Sequence, residues 1–165
     1  MTRQTFAGFW SEATATAHPP LYFLILRGVA LVTTDFGWLR AVALLSGVAA
    51  VHVLVLVGRE VGGRGVRAWL TGLLAGLLVA VSPRAVSLSQ VIRPYMLLVL
   101  LLASALLFLL RYRRTRAGRH LAAYPAAMTL ALTLHYSAAL AMAAFVLVVA
   151  ADALPAGSRT PAWRR

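Results

Sequence analysis

WLRAVALLSGVAAVHVLVLV, residues 38–57, decides how this chain folds. Apart from Arg40 near its start and His52, it is apolar or small throughout. A helix of about twenty apolar residues crosses the hydrocarbon core of a bilayer. It has no polar face, so a soluble amphipathic helix is excluded. Directly after it comes GREVGGRGVR, residues 58–67, a basic stretch rich in glycine. The same alternation repeats along the chain. Ala68 to Val81 is apolar and extends to about Leu88. Tyr95 to Leu110 is another run, followed by RYRRTRAGRH at 111–120. Leu121 to Leu154 is apolar except at His135-Tyr136-Ser137 and Asp152. As one helix it would reach about 51 Å, too long for one crossing, so it divides into two spans turning near His135.

The composition agrees. Of 165 residues 61% are hydrophobic and 12% charged, with a mean hydropathy of +0.83. Soluble domains are nearer half apolar and a quarter charged. The net charge is +12, all of it from arginine, since lysine is absent. Nucleic-acid binding calls for a basic face or stripe. These arginines instead cluster between apolar runs, as the positive-inside rule predicts. No nucleic-acid partner is expected. With no cysteine, disulfides and thiolate metal sites are excluded.

Leu21 to Val32 is only twelve residues, follows His18-Pro19-Pro20 and carries Arg27. It reads as an interfacial or re-entrant helix started by the prolines. The expected fold is therefore all-α: a multi-pass transmembrane helical bundle of about five spans plus one interfacial helix on the outer face. Residues 1–17 form an outer loop remnant, 18–154 the membrane domain and 155–165 a basic cytoplasmic tail. With residues 38–57 running inward, 11 of the 16 arginines lie in cytoplasmic loops or the tail. The expected location is the cell membrane, with the basic loops cytoplasmic.

Five arginines, Arg3, Arg27, Arg40, Arg84 and Arg93, fall outside against that bias. Arg40 and Arg84 lie near span ends and can snorkel to headgroups. Arg93 stands between Gln90 and Pro94-Tyr95 at the start of a span. Its guanidinium is a bidentate match for phosphate, and the phosphates at a leaflet boundary belong to lipids, ordinary or carrier. His135 interrupts an apolar stretch, where an ionisable group is expensive. It reads either as a pocket residue or as the polar group closing a turn. His52 reads as a packing residue and His120 as a loop residue. The only carboxylates are Glu12, Asp35, Glu60 and Asp152. They form no pair, and no HExxH, GxSxG or phosphate loop is present.

His18-Pro19-Pro20-Leu21-Tyr22-Phe23 resembles the HPPLYY element of multi-pass GT-C glycosyltransferases, the group of protein O-mannosyltransferases and lipid A aminoarabinose transferases. Trp38-Leu39-Arg40 with Ser46-Gly47 resembles a span opening of that family. Gly58-Arg59-Glu60-Val61-Gly62-Gly63-Arg64 is similar to its cytoplasmic loop. Ser82-Pro83, then Ser89-Gln90-Val91-Ile92-Arg93-Pro94-Tyr95, is similar to its SP…SQEARPY element, with Val91 in place of the glutamate. His135-Tyr136 resembles its later HY element. The resemblance covers about residues 15–150.

The resemblance implies transfer of a sugar from a polyprenyl-phosphate carrier to an acceptor on the outer face, with inversion. It implies that Arg93 holds carrier phosphate, and that His18, Gln90, Tyr95, His135 and Tyr136 line the sugar-phosphate pocket. The resemblance places an acidic base in the family's first outer loop, upstream of HPP; that role is not carried over onto Glu12, and the catalytic residue is left unassigned. No cofactor or resident metal is expected, although a divalent metal stays open. Expected partners are membrane lipids, the lipid-linked donor and the remainder of a longer or split enzyme. The alternative is a small non-catalytic membrane subunit or transporter-like protein binding anionic lipid.

Overall fold

Asp35 opens the longest helix by accepting the Gly37 backbone N–H at 2.6 Å on its Oδ1. Such a cap satisfies a donor that the first helical turn leaves unpaired. The computed structural model describes residues 21–33 and 35–153. His18, the segment 1–17 and the tail 155–165 lie outside the described residues. Among those described there are seven helices and no strand: α1 Leu21–Ala30, α2 Phe36–Gly62, α3 Gly65–Ala80, α4 Pro83–Ser89, α5 Tyr95–Thr115, α6 Gly118–Leu134 and α7 Ala138–Ala153. The all-α reading holds.

On length and composition, α2 and α5 can each cross a bilayer. A third span forms if α3 and α4, bent by 62° at their junction, count as one. The expected five spans correspond to α2, α3 with α4, α5, α6 and α7; two or three of them are borne out, and α6 and α7, with 17 and 16 described residues, lie at the short end of what a crossing takes. The ten residues of α1 are too few to span.

Local chemistry explains each break. Gly63 and Gly65 take φ of 87° and 65° between α2 and α3, a region that side chains other than glycine's rarely enter. Ser82 ends α3 and caps α4, accepting the Ala85 N–H at 3.4 Å, and Pro83 fills the first turn where no N–H is needed. The apolar run expected to continue from Ala68 to about Leu88 therefore breaks at this Ser-Pro pair. His135 ends α6 in extended backbone, as the expected turn requires.

The two basic loops are mostly helix. Helix α2 continues through Arg59 and Glu60 to Gly62. Helix α5 continues through Arg111, Arg113 and Arg114, leaving only Arg116 and Ala117 between α5 and α6. Arginines in a last turn face the unpaired carbonyls at the negative end of the helix dipole, so the backbone has no reason to stop at the apolar boundary. His120 is likewise helical and stacks on Phe108 at 6.4 Å. His52 is exposed on α2 rather than packed inside.

The helices lie in the order α3, α2, α5, α6, with α7 against α5 and α6 and α1 across α2 and α6. Glycines set the α2–α3 spacing. A Cβ built on Gly58 would lie 2.7 Å from the Thr71 carbonyl oxygen, and one on Gly72 would lie 2.6 Å from that of Val55. Small residues admit this approach, which is how helices associate where lipid removes the hydrophobic drive. Between α5 and α6, Leu98 with Ala131 and Ala105 with Ala127 and Met128 form the buried core.

At the glycine–arginine end, Glu60 of α2 accepts from Arg111 Nε at 3.2 Å and from an Arg114 terminal nitrogen at 2.9 Å, tying α2 to α5. Glu60→Gln is expected to cost about 1 kcal/mol, because the arginines are partly solvated. A lower unfolding midpoint in detergent, with the difference narrowing as salt is added, checks this.

Candidate functional site

The chain reverses direction at the far end of the bundle through two short connections. In the first, α4 ends at Gln90, and the Arg93 N–H donates to the Val91 carbonyl at 2.8 Å. Pro94 then caps α5, accepting the Leu98 N–H on its carbonyl at 2.8 Å. Pro94 suits this place because its fixed φ matches the helix and a cap has no use for an N–H. Tyr95 becomes the first helical residue, and the Arg93 side chain is left exposed before it.

The second connection is His135-Tyr136-Ser137. The Ser137 N–H donates to His135 Nδ1 at 3.1 Å, and Ser137 Oγ lies 2.9 Å from the same nitrogen. Nδ1 is thereby the acceptor that closes the turn. The imidazole also lies against Tyr95, ring centroids 6.0 Å apart and tilted by 44°. His135 thus closes its turn and meets the start of α5.

From α1, Tyr22 enters the same end. It is only 3% exposed, and among the described residues its hydroxyl has no hydrogen-bond partner. Burial pushes its pKa up from the ordinary 10 to about 12, while the Arg93 guanidinium acts in the opposite direction. A buried hydroxyl without a partner costs about 1–3 kcal/mol. An apolar groove of about 190 Å³ runs along the α3–α4 break, walled by Leu44, Gly47, Val79, Val86 and Ser89, and touches α5 at Met96. Ser89 turns inward toward Gly47, and its neighbour Gln90 is exposed.

The family model for dolichyl-phosphate-mannose-protein mannosyltransferases matches residues 17–160, which takes in all five motifs. The chain belongs to that family. No curated protein and no solved structure matches it. Its kind is therefore a membrane glycosyltransferase, mannosyltransferase-like, with transmembrane helices.

Of the residues the sequence singles out in this mannosyltransferase-like chain, Tyr95 and His135 are in contact. Arg93 stands two residues before Tyr95 and acts electrostatically on Tyr22. Gln90 and Tyr136 are both exposed, Tyr136 at 65%, and share the two connections without a contact between them. His18 lies outside the described residues. Tyr22 was missed as a site residue, although it stands inside the quoted HPPLYF motif; only its burial distinguishes it. Asp35 spends its carboxylate on the α2 cap. Among the described residues no group of three His, Asp or Glu is placed to hold a metal.

Tyr22→Phe should raise stability by about 1 kcal/mol, because it removes a desolvated hydroxyl and keeps the ring. It should also change the alkaline limb. Between pH 10 and about 12 only the unfolded chain ionises this phenol, so the wild type loses stability as pH rises through that window. Comparing unfolding midpoints of the two proteins from neutral pH to pH 12 checks both.

Proposed function

We propose that this chain binds a polyprenyl-phosphate sugar and takes part in transferring the sugar to an acceptor on the extracytoplasmic face. In this reading Arg93 grips the carrier phosphate, and Gln90, Tyr95, His135, Tyr136 and His18 border the sugar. The observation that carries it is the contact of Tyr95, two residues after Arg93, with His135, while an apolar groove reaches the next residue of α5, Met96. A carrier lipid has that same pairing of anionic head and hydrocarbon tail.

The chemistry follows from the charges. Transfer breaks the bond between the anomeric carbon and the phosphate oxygen, and negative charge gathers on the departing phosphate. A fixed guanidinium stabilises that charge more than it stabilises the ground state, which is what lowers a barrier. His135, in contact with Tyr95, borders the sugar in this reading. The acceptor hydroxyl must also lose a proton to a base. Asp35 is engaged as a helix cap, so this reading assigns the base to no described residue.

In a second reading the chain holds the lipid-linked donor without catalysing the transfer. Photoreactive polyprenyl phosphate, incubated with the chain in bilayers, should label it under both readings. Release of free polyprenyl phosphate from polyprenyl-phosphate mannose distinguishes them, because only a transferase consumes the donor. No labelling ends both.

Sidedness has its own test. The chain has no cysteine, so single thiols report without background. In intact cells, Tyr136→Cys should react with an impermeant maleimide and Arg119→Cys should not. The reverse pattern would place the Arg93 end in the cytoplasm and remove the proposed acceptor side.

A further inference from the structure

A second, larger cavity of about 270 Å³ lies at the opposite end of the bundle, where α2, α3 and α5 come together. Helix α5 alone separates the two ends by about 30 Å, from its 21 residues. The cavity wall carries Arg59, Arg64, Arg111 and Arg114, with Glu60 as its one carboxylate. Four guanidiniums against one carboxylate leave a formal surplus of three positive charges.

These arginines are held in place. Arg59 lies 3.7 Å over the ring of Trp69, a stacking geometry that guanidinium planes favour. Glu60 takes Nε of Arg111 and one terminal nitrogen of Arg114. Each guanidinium offers five N–H donors, so both forks keep donors for a second acceptor. Like charges fixed around one cavity repel, and an anion entering it relieves all four at once. A volume just below the usual range for small-molecule pockets suits a headgroup rather than a large ligand.

The surroundings say where that anion comes from. Trp69 is 52% exposed at the cavity rim, next to Leu70, Leu73 and Leu74, exposed along α3. An indole between an apolar helix face and a polar end marks the headgroup level of a bilayer. We propose that this cavity binds the phosphodiester of an anionic phospholipid, with Arg64 and the remaining donors of Arg111 and Arg114 on its oxygens. The bound headgroup bridges α2, α3 and α5 across the glycine turn between α2 and α3. The site does not depend on the sugar-transfer reading, nor on which leaflet this end occupies.

The test uses the full chain in nanodiscs of phosphatidylcholine doped with phosphatidylglycerol. Lipid retained after detergent exchange is counted by mass spectrometry. Phosphatidylglycerol should be enriched about tenfold over its bulk fraction. Arg64→Gln, which alters an exposed helix-cap residue, should cut that enrichment about fivefold. Arg84→Gln, at the other end of the bundle, should leave it unchanged. Equal retention of both lipids overturns the proposal, and so does enrichment that survives Arg64→Gln. Glycerophosphate and inorganic phosphate form the last arm. Neither should displace the lipid at millimolar concentration; displacement by either would show that the cavity takes free phosphate, and would overturn the lipid assignment.

Discussion

Gly72→Val should separate α2 from α3, at a cost of about 3 kcal/mol, the upper end of what overpacking does. The reason is backbone, not side chain. A Cβ at residue 72 would stand 2.6 Å from the Val55 carbonyl oxygen and 2.6 Å from Arg59 Cγ. The arginine stem can swing aside; the carbonyl cannot move without its helix. Gly72→Ala decides the point by sign. Helix propensity alone favours alanine over glycine by about 1 kcal/mol, so a stabilised alanine variant would mean the helices do not approach this closely. Destabilisation means packing outweighs propensity. Gly28→Ala is the control, because a Cβ there meets nothing within 4 Å. Unfolding midpoints in a mixed-detergent titration read all three.

Arg93→Ala should lower affinity for polyprenyl phosphate by roughly 10- to 100-fold, the loss of one charge-assisted contact of about 1.5–3 kcal/mol. Arg93→Lys keeps the charge and loses the two-pronged fit, so its affinity should fall between the two. Arg84→Ala removes an exposed arginine of the neighbouring helix α4 and should change little. The fold supplies an independent readout. Arg93 holds the Tyr22 pKa lower than burial alone would set it, so in Arg93→Ala the phenol should ionise at still higher pH. Ultraviolet titration follows that shift without any substrate. Carrier binding that persists unchanged in Arg93→Ala, while the Tyr22 titration moves as expected, would remove Arg93 from the phosphate site and leave the fold description intact.

The helices and their breaks were largely legible, because in an apolar solvent each backbone group must be satisfied within its own helix. Gly63-Arg64-Gly65, Ser82-Pro83 and His135-Tyr136-Ser137 each interrupt that ladder by their own chemistry, and each falls at a junction of two helices. Element ends were less legible. The arginine stretches looked like loops, since hydropathy falls at Arg59 and Arg111, yet the hydrogen-bond ladder continues to Gly62 and Thr115. Hydropathy marks where lipid ends, and a helix ends only where its backbone stops bonding. At the candidate site the order of the motifs placed Arg93, Tyr95 and His135 at one end. Tyr22 was invisible as a site residue because nothing local says a tyrosine will be buried.

By itself, then, the amino-acid sequence determined an all-helical membrane protein of the mannosyltransferase-like kind. It also determined where the chain turns and which end gathers the arginines. Those properties follow from runs of neighbouring residues, each of which meets the solvent or its own helix turn by turn. Only the tertiary structure decided that Glu60 joins Arg111 and Arg114, residues 51 and 54 positions away. It alone set Gly72 against the backbone of Val55, and left the Tyr22 hydroxyl buried where Arg93 acts on it. Such pairings depend on which helix faces are apposed and at what height. That is a property of packed surfaces, with no counterpart in any single stretch of chain.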